Sequence, residues 1–439
     1  MSEDVVNLSR FRADLSRALA RHGKRLLESD DLAEQVPQLA PLEAYFAVKE
    51  LGVDEAVPIL RHCSREQWQI FIDLDCWRDE RPDPLELDAW LAPFAAQSPE
   101  LLVDAFLQLD EQLQVLFLAS QLNIYDARSD AIPEAPKSVT RATTPDDFFV
   151  LEPLPSRERE VEPLALVNAL YAHDQQLAFR ILTAAKWELL APLEEEAYRF
   201  RSGRLEDLGF PATERAQSIF ASPPQRPRTS PSQTPPPPET SLPAAYAAPL
   251  TESTLLARAM AHVDDPRLVE HIEGDLLHLI NSAVIAYGEA PGDLRQVTEI
   301  ACRVRDTLSL GLEQLLSPET PLADAGDEQV ARQAARLLAE WPLRDVFAHG
   351  HHTVLPVARA ASALARDPVV GNWLEGVETE ADDYSQDRAD RAFLRALASP
   401  HPLHAGRDLM RPDSSNAFAS KSELEAAEKR LDALAERFR

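Results

Sequence analysis

A proline-rich run from Ser222 to Pro243, with four consecutive prolines at Pro235 to Pro238, limits how this chain can fold more than any other feature. Proline fixes φ, donates no backbone hydrogen bond and drives the residue before it out of the α region. Such a run neither continues a helix nor sits in a sheet, so it divides the chain into two apolar, helix-patterned blocks. The pattern predicts a helical-repeat domain over 1–221, a proline-rich linker over 222–250 and a helical bundle over 251–439. At about 3.1 Å per residue the linker is expected to be an extended, polyproline-like tether between the blocks. A docking site for a proline-binding domain is the other reading of the run.

The 439 residues, 45% of them hydrophobic, suffice for two or three buried cores. Only 13 glycines against 35 prolines, with stretches rich in Leu, Ala, Glu and Arg, favour helices over sheets. The expected class is all-α: a stacked short-helix, solenoid-like array followed by a helical bundle. A formal charge of −29 argues against nucleic-acid binding, which needs clustered Lys and Arg. Cys63, Cys76 and Cys302 lie in helix-like apolar surroundings without metal-type pairing, which predicts reduced core thiols and a cytoplasmic compartment. No basic-then-apolar signal opens the chain. The longest apolar runs, near Leu113 to Leu122 and Leu276 to Tyr287, fall short of the roughly 20 residues that span a bilayer.

In the first block, residues 7–27 place Phe11, Leu15, Leu19 and Leu26 on one helical face and Arg10, Arg12, Arg17, Arg21, Lys24 and Arg25 elsewhere. This basic helix can dock on the protein's own acidic body or on an acidic partner or anionic lipid. From Leu42 to Leu122 the pattern is one of successive short helices. Ser64 with Gln67 has the spacing of a capping box, and Asp83 and Ser98 each stand as N-cap before a proline. Helices this short must stack on neighbours to persist. Asp54 to Leu60, followed by Trp77, Arg78 and Arg81, is echoed by Asp174 to Leu182, followed by Tyr198, Arg199 and Arg201. The echo suggests a diverged duplication. Between the copies, Asp146 to Glu152 is predicted as a strand or strap, after a polar loop over 127–144.

Asp73-Leu-Asp-Cys-Trp-Arg78, Glu194-Glu-Glu-Ala-Tyr-Arg199, Arg204 to Pro211 and Glu423 to Leu431 resemble an uncharacterised bacterial family, a domain of unknown function. The resemblance covers most of the chain outside the proline run and implies no activity, cofactor or catalytic residue. The first block is also similar in pattern to the stacked short helices of flagellar-motor switch proteins and of the cytosolic part of bacterial magnesium channels. Asp73, Asp75, Trp77, Arg78, Asp79 and Arg81 form the densest polar and aromatic cluster of the block. Two roles fit it: a joint between helices, or a ligand-binding notch. Tyr198, Arg199, Arg201 and Arg204 read as its duplicate, and recurrence suits a joint. If Trp77 is buried in the repeat core, Trp77→Ala should cost roughly 3–5 kcal/mol.

In the second block, Leu294 to Leu312 keep a three-to-four apolar spacing, ended by Ser317-Pro318, and a further helix is predicted over 328–340. Ser422 and Glu425 are predicted to cap a final helix that packs on the bundle. His349, His351 and His352 follow Asp345 at a predicted helix-to-helix junction. His271, Asp275 and His278 share one helical face. Neutral imidazoles with a carboxylate are the ligand set of zinc and other transition metals, so both groups are candidate metal sites. Neither has a His-Glu-x-x-His spacing, and packed or surface histidines are the plainer reading. The acidic stretch over 375–390, with Asp382, Asp383 and Asp387, lacks the spacing of a calcium loop.

No phosphate-cradling loop, nucleophile elbow or cysteine–histidine pair appears in the sequence. The expectation is a non-enzymatic cytosolic scaffold or adaptor, without a cofactor, that binds protein partners through its stacked helices. The alternatives are a metal-dependent enzyme using the C-terminal histidines, and a membrane-surface or motor-associated protein held by the basic N-terminal helix.

Overall fold

The structure, a computed structural model, describes residues 19, 21–29, 31–78, 80–134, 140–155, 159–227, 246, 254–322, 328–376, 386–406 and 415–439. The basic segment before residue 19, most of the proline run, Asp79, Asp382 and Asp383 lie outside the described residues. Those described are largely helical, with small antiparallel sheets. None of their helices is long and apolar enough to cross a membrane. The chain divides into two units, residues 16–207 and residues 208–439. Residues 208–227, which the sequence pattern gives to the first block and the linker, thus belong with the second unit.

In the 16–207 unit, α1 (Pro41–Leu51) turns at Gly52, whose φ of 91° disfavours any side chain, into α2 (Val53–Leu60). The next helix, α3 (Arg65–Asp75), opens on the predicted capping box, in which Ser64 Oγ accepts from Gln67 N and Gln67 Oε1 accepts from Ser64 N. A two-strand hairpin, β1 (Trp77–Arg78) with β2 (Arg81–Pro82), leads to α4 (Pro84–Ala95), α5 (Pro99–Leu107) and α6 (Glu111–Gln121). Asp83 and Ser98 cap α4 and α5 as their positions before proline require. Tyr45, Phe71, Trp68 and Trp90 are buried against one another and form the aromatic centre of this core. Residues 21–27 are helical, and Gly23 allows this turn to lie directly on Leu51, where an added Cβ would fall 2.4 Å from Leu51 Cδ1.

A three-stranded sheet interrupts the helices, in the order β3 (Leu122–Asp126), β5 (Phe149–Pro153), β4 (Ala142–Thr143). It settles the ambiguous stretch after Asp146 as a strand and qualifies the all-α expectation. Alternation explains it: Leu122 and Ile124 from β3, with Phe149 and Leu151 from β5, are buried. The unit closes with α7 (Pro163–His173), α8 (Gln175–Trp187) and α9 (Leu190–Asp207).

The 208–439 unit contains α10 (Leu255–Met260), α11 (Pro266–Tyr287), α12 (Leu294–Leu316), α13 (Glu328–Glu340), α14 (Leu343–Ala365), α15 (Pro368–Glu375), α16 (Gln386–Leu397) and α17 (Lys421–Arg437). Helices α12 and α14 meet backbone to backbone. A Cβ on Gly311 would lie 2.0 Å from Val346 O, and one on Gly350 2.0 Å from Thr307 O. Leu310, Val354, Phe393, Phe418 and Leu431 share the apolar core around that crossing. The N-cap of α17 is Ser420, whose Oγ accepts from Glu423 N, two residues before the predicted Ser422. Lys421 fixes this start: its backbone N–H reaches Glu313 Oε2 at 2.9 Å, and its ammonium bonds the carbonyls of Ser317 and Pro318.

Candidate functional site

The two clusters read from sequence as duplicates are the two halves of one joint within the 16–207 unit. Arg201 from α9 lies over the Trp77 ring at 5.0 Å and donates through Nε to Asp73 O at 2.8 Å. The rings of Tyr198 and Trp77 are 6.4 Å apart, and Arg81 reaches Glu194 at 3.5 Å. At the centre, the fully buried Asp73 accepts a forked pair from Arg204, Nε to Oδ2 at 2.5 Å and a terminal nitrogen to Oδ1 at 3.0 Å. Arg204 also bridges to Asp110 at 2.9 Å. Burial pushes the Asp73 carboxyl above its ordinary pKa, opposed by the hydrogen bonds and charge of Arg204.

Asp75 faces the opposite way from Asp73 and is held by three donors of its own. Tyr45 Oη (2.8 Å), Lys49 Nζ (2.6 Å) and Trp90 Nε1 (2.9 Å) converge on its carboxylate. Arg78 is exposed and pairs with Asp83 at 2.8 Å. Arg199, also exposed, lies beside Glu196 and over the Phe200 ring rather than in the joint. Trp77 is half-buried, outside the aromatic core that holds Trp68 and Trp90, because a two-residue hairpin strand leaves one ring face to Arg201. The partners Tyr45, Lys49, Trp90, Gln69 and Asp110 were not among the site residues read from the sequence. Tyr45, Lys49 and Trp90 are 15 or more residues from Asp75, and Asp110 stands at the start of another helix, α6, so no local spacing signals those contacts. Gln69 donates to Asp73 from four residues away on α3, a local spacing that did carry a signal.

The same unit exposes large apolar side chains at the turn from α8 to α9. Trp187 is 51% exposed, Leu189 77% and Leu190 41%, with Phe200 further along α9. The Trp187 ring rests on Phe149 at 5.7 Å, so the patch is anchored to the sheet rather than being a frayed end. On the basic segment, Arg21, Lys24, Arg25 and Glu28 line an open depression of about 480 Å³.

In the 208–439 unit, the histidine predictions need correction. His349, His351 and His352 stand in the middle of α14, not at a junction, because Gly350 is a helix-crossing residue rather than a helix end. His349 Nε2 lies 3.1 Å from Pro224 O, and His352 Nε2 lies 3.3 Å from Phe220 O. Both nitrogens face carbonyl oxygens, so the imidazoles act as donors there. His351 packs on the Phe220 ring at 4.7 Å, and burial, with His352 and His401 beside it, lowers its pKa to about 4. His271 and Asp275 form a 3.6 Å pair, while His278 packs against Gly209. Burial raises the Asp275 carboxyl and lowers His278. Among the described residues no three His, Cys, Asp or Glu side chains come together as a metal site.

The three cysteines are buried and form no disulfide, and burial pushes the Cys63 thiol up to about 12. Burial raises Cys76 as well, which disfavours the reactive thiolate at both positions.

No curated protein and no solved structure matches the chain. A family model described as a family of unknown function, DUF6178, matches residues 4–437, which is nearly the whole length, so the chain belongs to that family.

Proposed function

We propose that the protein is a non-enzymatic cytoplasmic scaffold or adaptor that binds a protein partner through the 16–207 unit, whose short helices stack in a solenoid-like manner. The observation that carries this reading is the pair of opposed facts in that unit. Its buried charges are bonded to one another as structural joints, while Trp187, Leu189 and Leu190 stand exposed side by side at an anchored turn. Exposed aromatic and aliphatic clusters of this kind mark interaction surfaces. The histidines of α14 are engaged with backbone and aromatic neighbours, so no comparable support exists for a metal-dependent enzyme.

Affinity capture from the native host with the full chain and with a Trp187→Ala/Leu189→Asp double variant tests the proposal. A partner retained by the wild-type chain and lost from a variant of unchanged helicity supports it. The same partners on both, or none on either, would remove the patch as the binding surface. A second reading, attachment to an anionic surface through Arg21, Lys24 and Arg25, rests on the depression those residues line. Flotation with vesicles of about one-third anionic lipid, at low and high salt, checks it. Salt-independent behaviour speaks against it.

A further inference from the structure

The stretch from Thr213 to Pro224 runs as a strap over α11 and α14 of its own unit. Phe220 is its centre, with ring centroids of Tyr287 at 5.6 Å, Phe347 at 6.0 Å, His351 at 4.7 Å and His401 at 4.6 Å. Outside that box, Gln217 Nε2 donates to Ala286 O at 2.7 Å and Arg344 donates to Ser218 O at 2.9 Å. His352 and His349 meet the carbonyls of Phe220 and Pro224. Four imidazoles therefore converge on twelve residues of chain.

They fall into two kinds. His349 and His352 face acceptors, so gaining a proton leaves their bonds intact. His351 and His401 face the Phe220 ring, and His401 Nδ1 is buried without a hydrogen-bond partner among the described residues. A proton on either of these puts an uncompensated charge inside an apolar box.

We propose that the strap is an acid-released clasp, in which neutral His351 and His401 grip Phe220 and their protonation frees residues 213–227. The groups facing the box support that direction. Arg303 of α12 lies over Tyr287 at 5.3 Å and opposes a charge on His401, and His352 opposes one on His351. Tyr287 of α11 remains neutral, since burial pushes its hydroxyl up to about 12. Asp345 of α14 favours a charge on His349, which is already a donor, and Glu214 and Arg215 of the strap are exposed to solvent. An imidazolium gains some attraction to the Phe220 face, but that term is small beside two like charges in one partly buried box. Burial lowers both His351 and His401, so the open strap takes up protons that the closed strap refuses.

Hydrogen exchange of the full chain, followed by mass spectrometry in steps from about pH 7.5 to about pH 4.5 and corrected for intrinsic rates, tests the clasp. Between the ordinary histidine value of about 6.5 and the lowered one, amides of 213–224 should lose roughly tenfold to a hundredfold in protection, while those of α12 keep theirs. Unchanged protection of the strap, or loss in step with α12, would overturn the clasp. A His351→Phe/His401→Phe variant, unable to titrate, should keep the strap protected at the acid end; release at the same pH as wild type would also overturn it. If that variant does not fold, the wild-type pH series alone decides.

Discussion

The joint of the 16–207 unit is built on an ion pair, buried Asp73 held by Arg204, whereas Phe220 at the centre of the strap of the 208–439 unit is packed against imidazoles. Asp73 is gripped by a guanidinium whose geometry fits a carboxylate in two places, and Arg201 closes the joint over Trp77. Phe220 is gripped by imidazoles that need only to stay unprotonated. Burial is complete at Asp73 and partial at Phe220, His351 and His401. Its outcome differs because one buried group has a permanent counter-ion and the others have an aromatic ring. The first arrangement makes a rigid hinge point between hairpin and helix; the second makes a contact that solution conditions can undo.

The largest expected effect separates the two directly. Asp73→Ala leaves Arg204 without its forked partner and should destabilise by about 3–5 kcal/mol in denaturant melts, whereas Asp73→Leu with Arg204→Met should recover most of that loss. A single variant as stable as wild type would show that the ion pair holds nothing. Next, Trp90→Ala should cost about 3–5 kcal/mol because Trp90 is buried and bonds Asp75, while half-buried Trp77→Ala should cost only about 1–2 kcal/mol. Equal melts for the two would place Trp77 in the core after all.

The histidine contribution comes third, and its sign follows from a lowered pKa. A histidine that is harder to protonate when folded gives its full stabilisation above the unfolded value of about 6.5, and loses it as pH falls toward the folded value of about 4. Wild-type stability should fall by up to about 3 kcal/mol across that window from His351, and His351→Phe should flatten the slope. A slope equal in both chains counts against a buried, neutral His351. Gly350→Ala, which drives a methyl into Thr307 O, should cost about 1–3 kcal/mol. The smallest effect has the opposite sign: Gly203 in α9 has open space at its Cβ, so Gly203→Ala should raise stability by about 0.5–1 kcal/mol. If both glycine variants shift stability in the same direction, the close crossing of α12 and α14 is wrong.

Much of the fold was legible because its signals are local. The Ser64–Gln67 box, the Asp83-Pro84 and Ser98-Pro99 starts and the α12 stripe each lie within a few turns of backbone, where spacing alone fixes who meets whom. The Ser422 cap failed by two residues because a distant acid, Glu313, fixes where α17 begins. The sheet was only half visible: Asp146 to Glu152 carries the short apolar run Phe148 to Leu151, but its partner β3 follows α6 without a break and reads as its last turn.

The candidate sites divide the same way. Residue types in contiguous runs marked Asp75, Trp77, Arg78, Arg81, Tyr198, Arg199 and Arg201, and the histidines of α14, as places where polar chemistry concentrates. Whether those runs face one another depends on packing across 128 residues for Arg201 and Asp73, and across 132 for His352 and Phe220. Helical periodicity, capping and proline stops follow from the chain's own next few residues, so the sequence suffices for them. The pairing of Arg204 with Asp73, and of Phe220 with His351 and His401, required the folded units, because burial of apolar surface chooses those neighbours and no spacing along the chain encodes them.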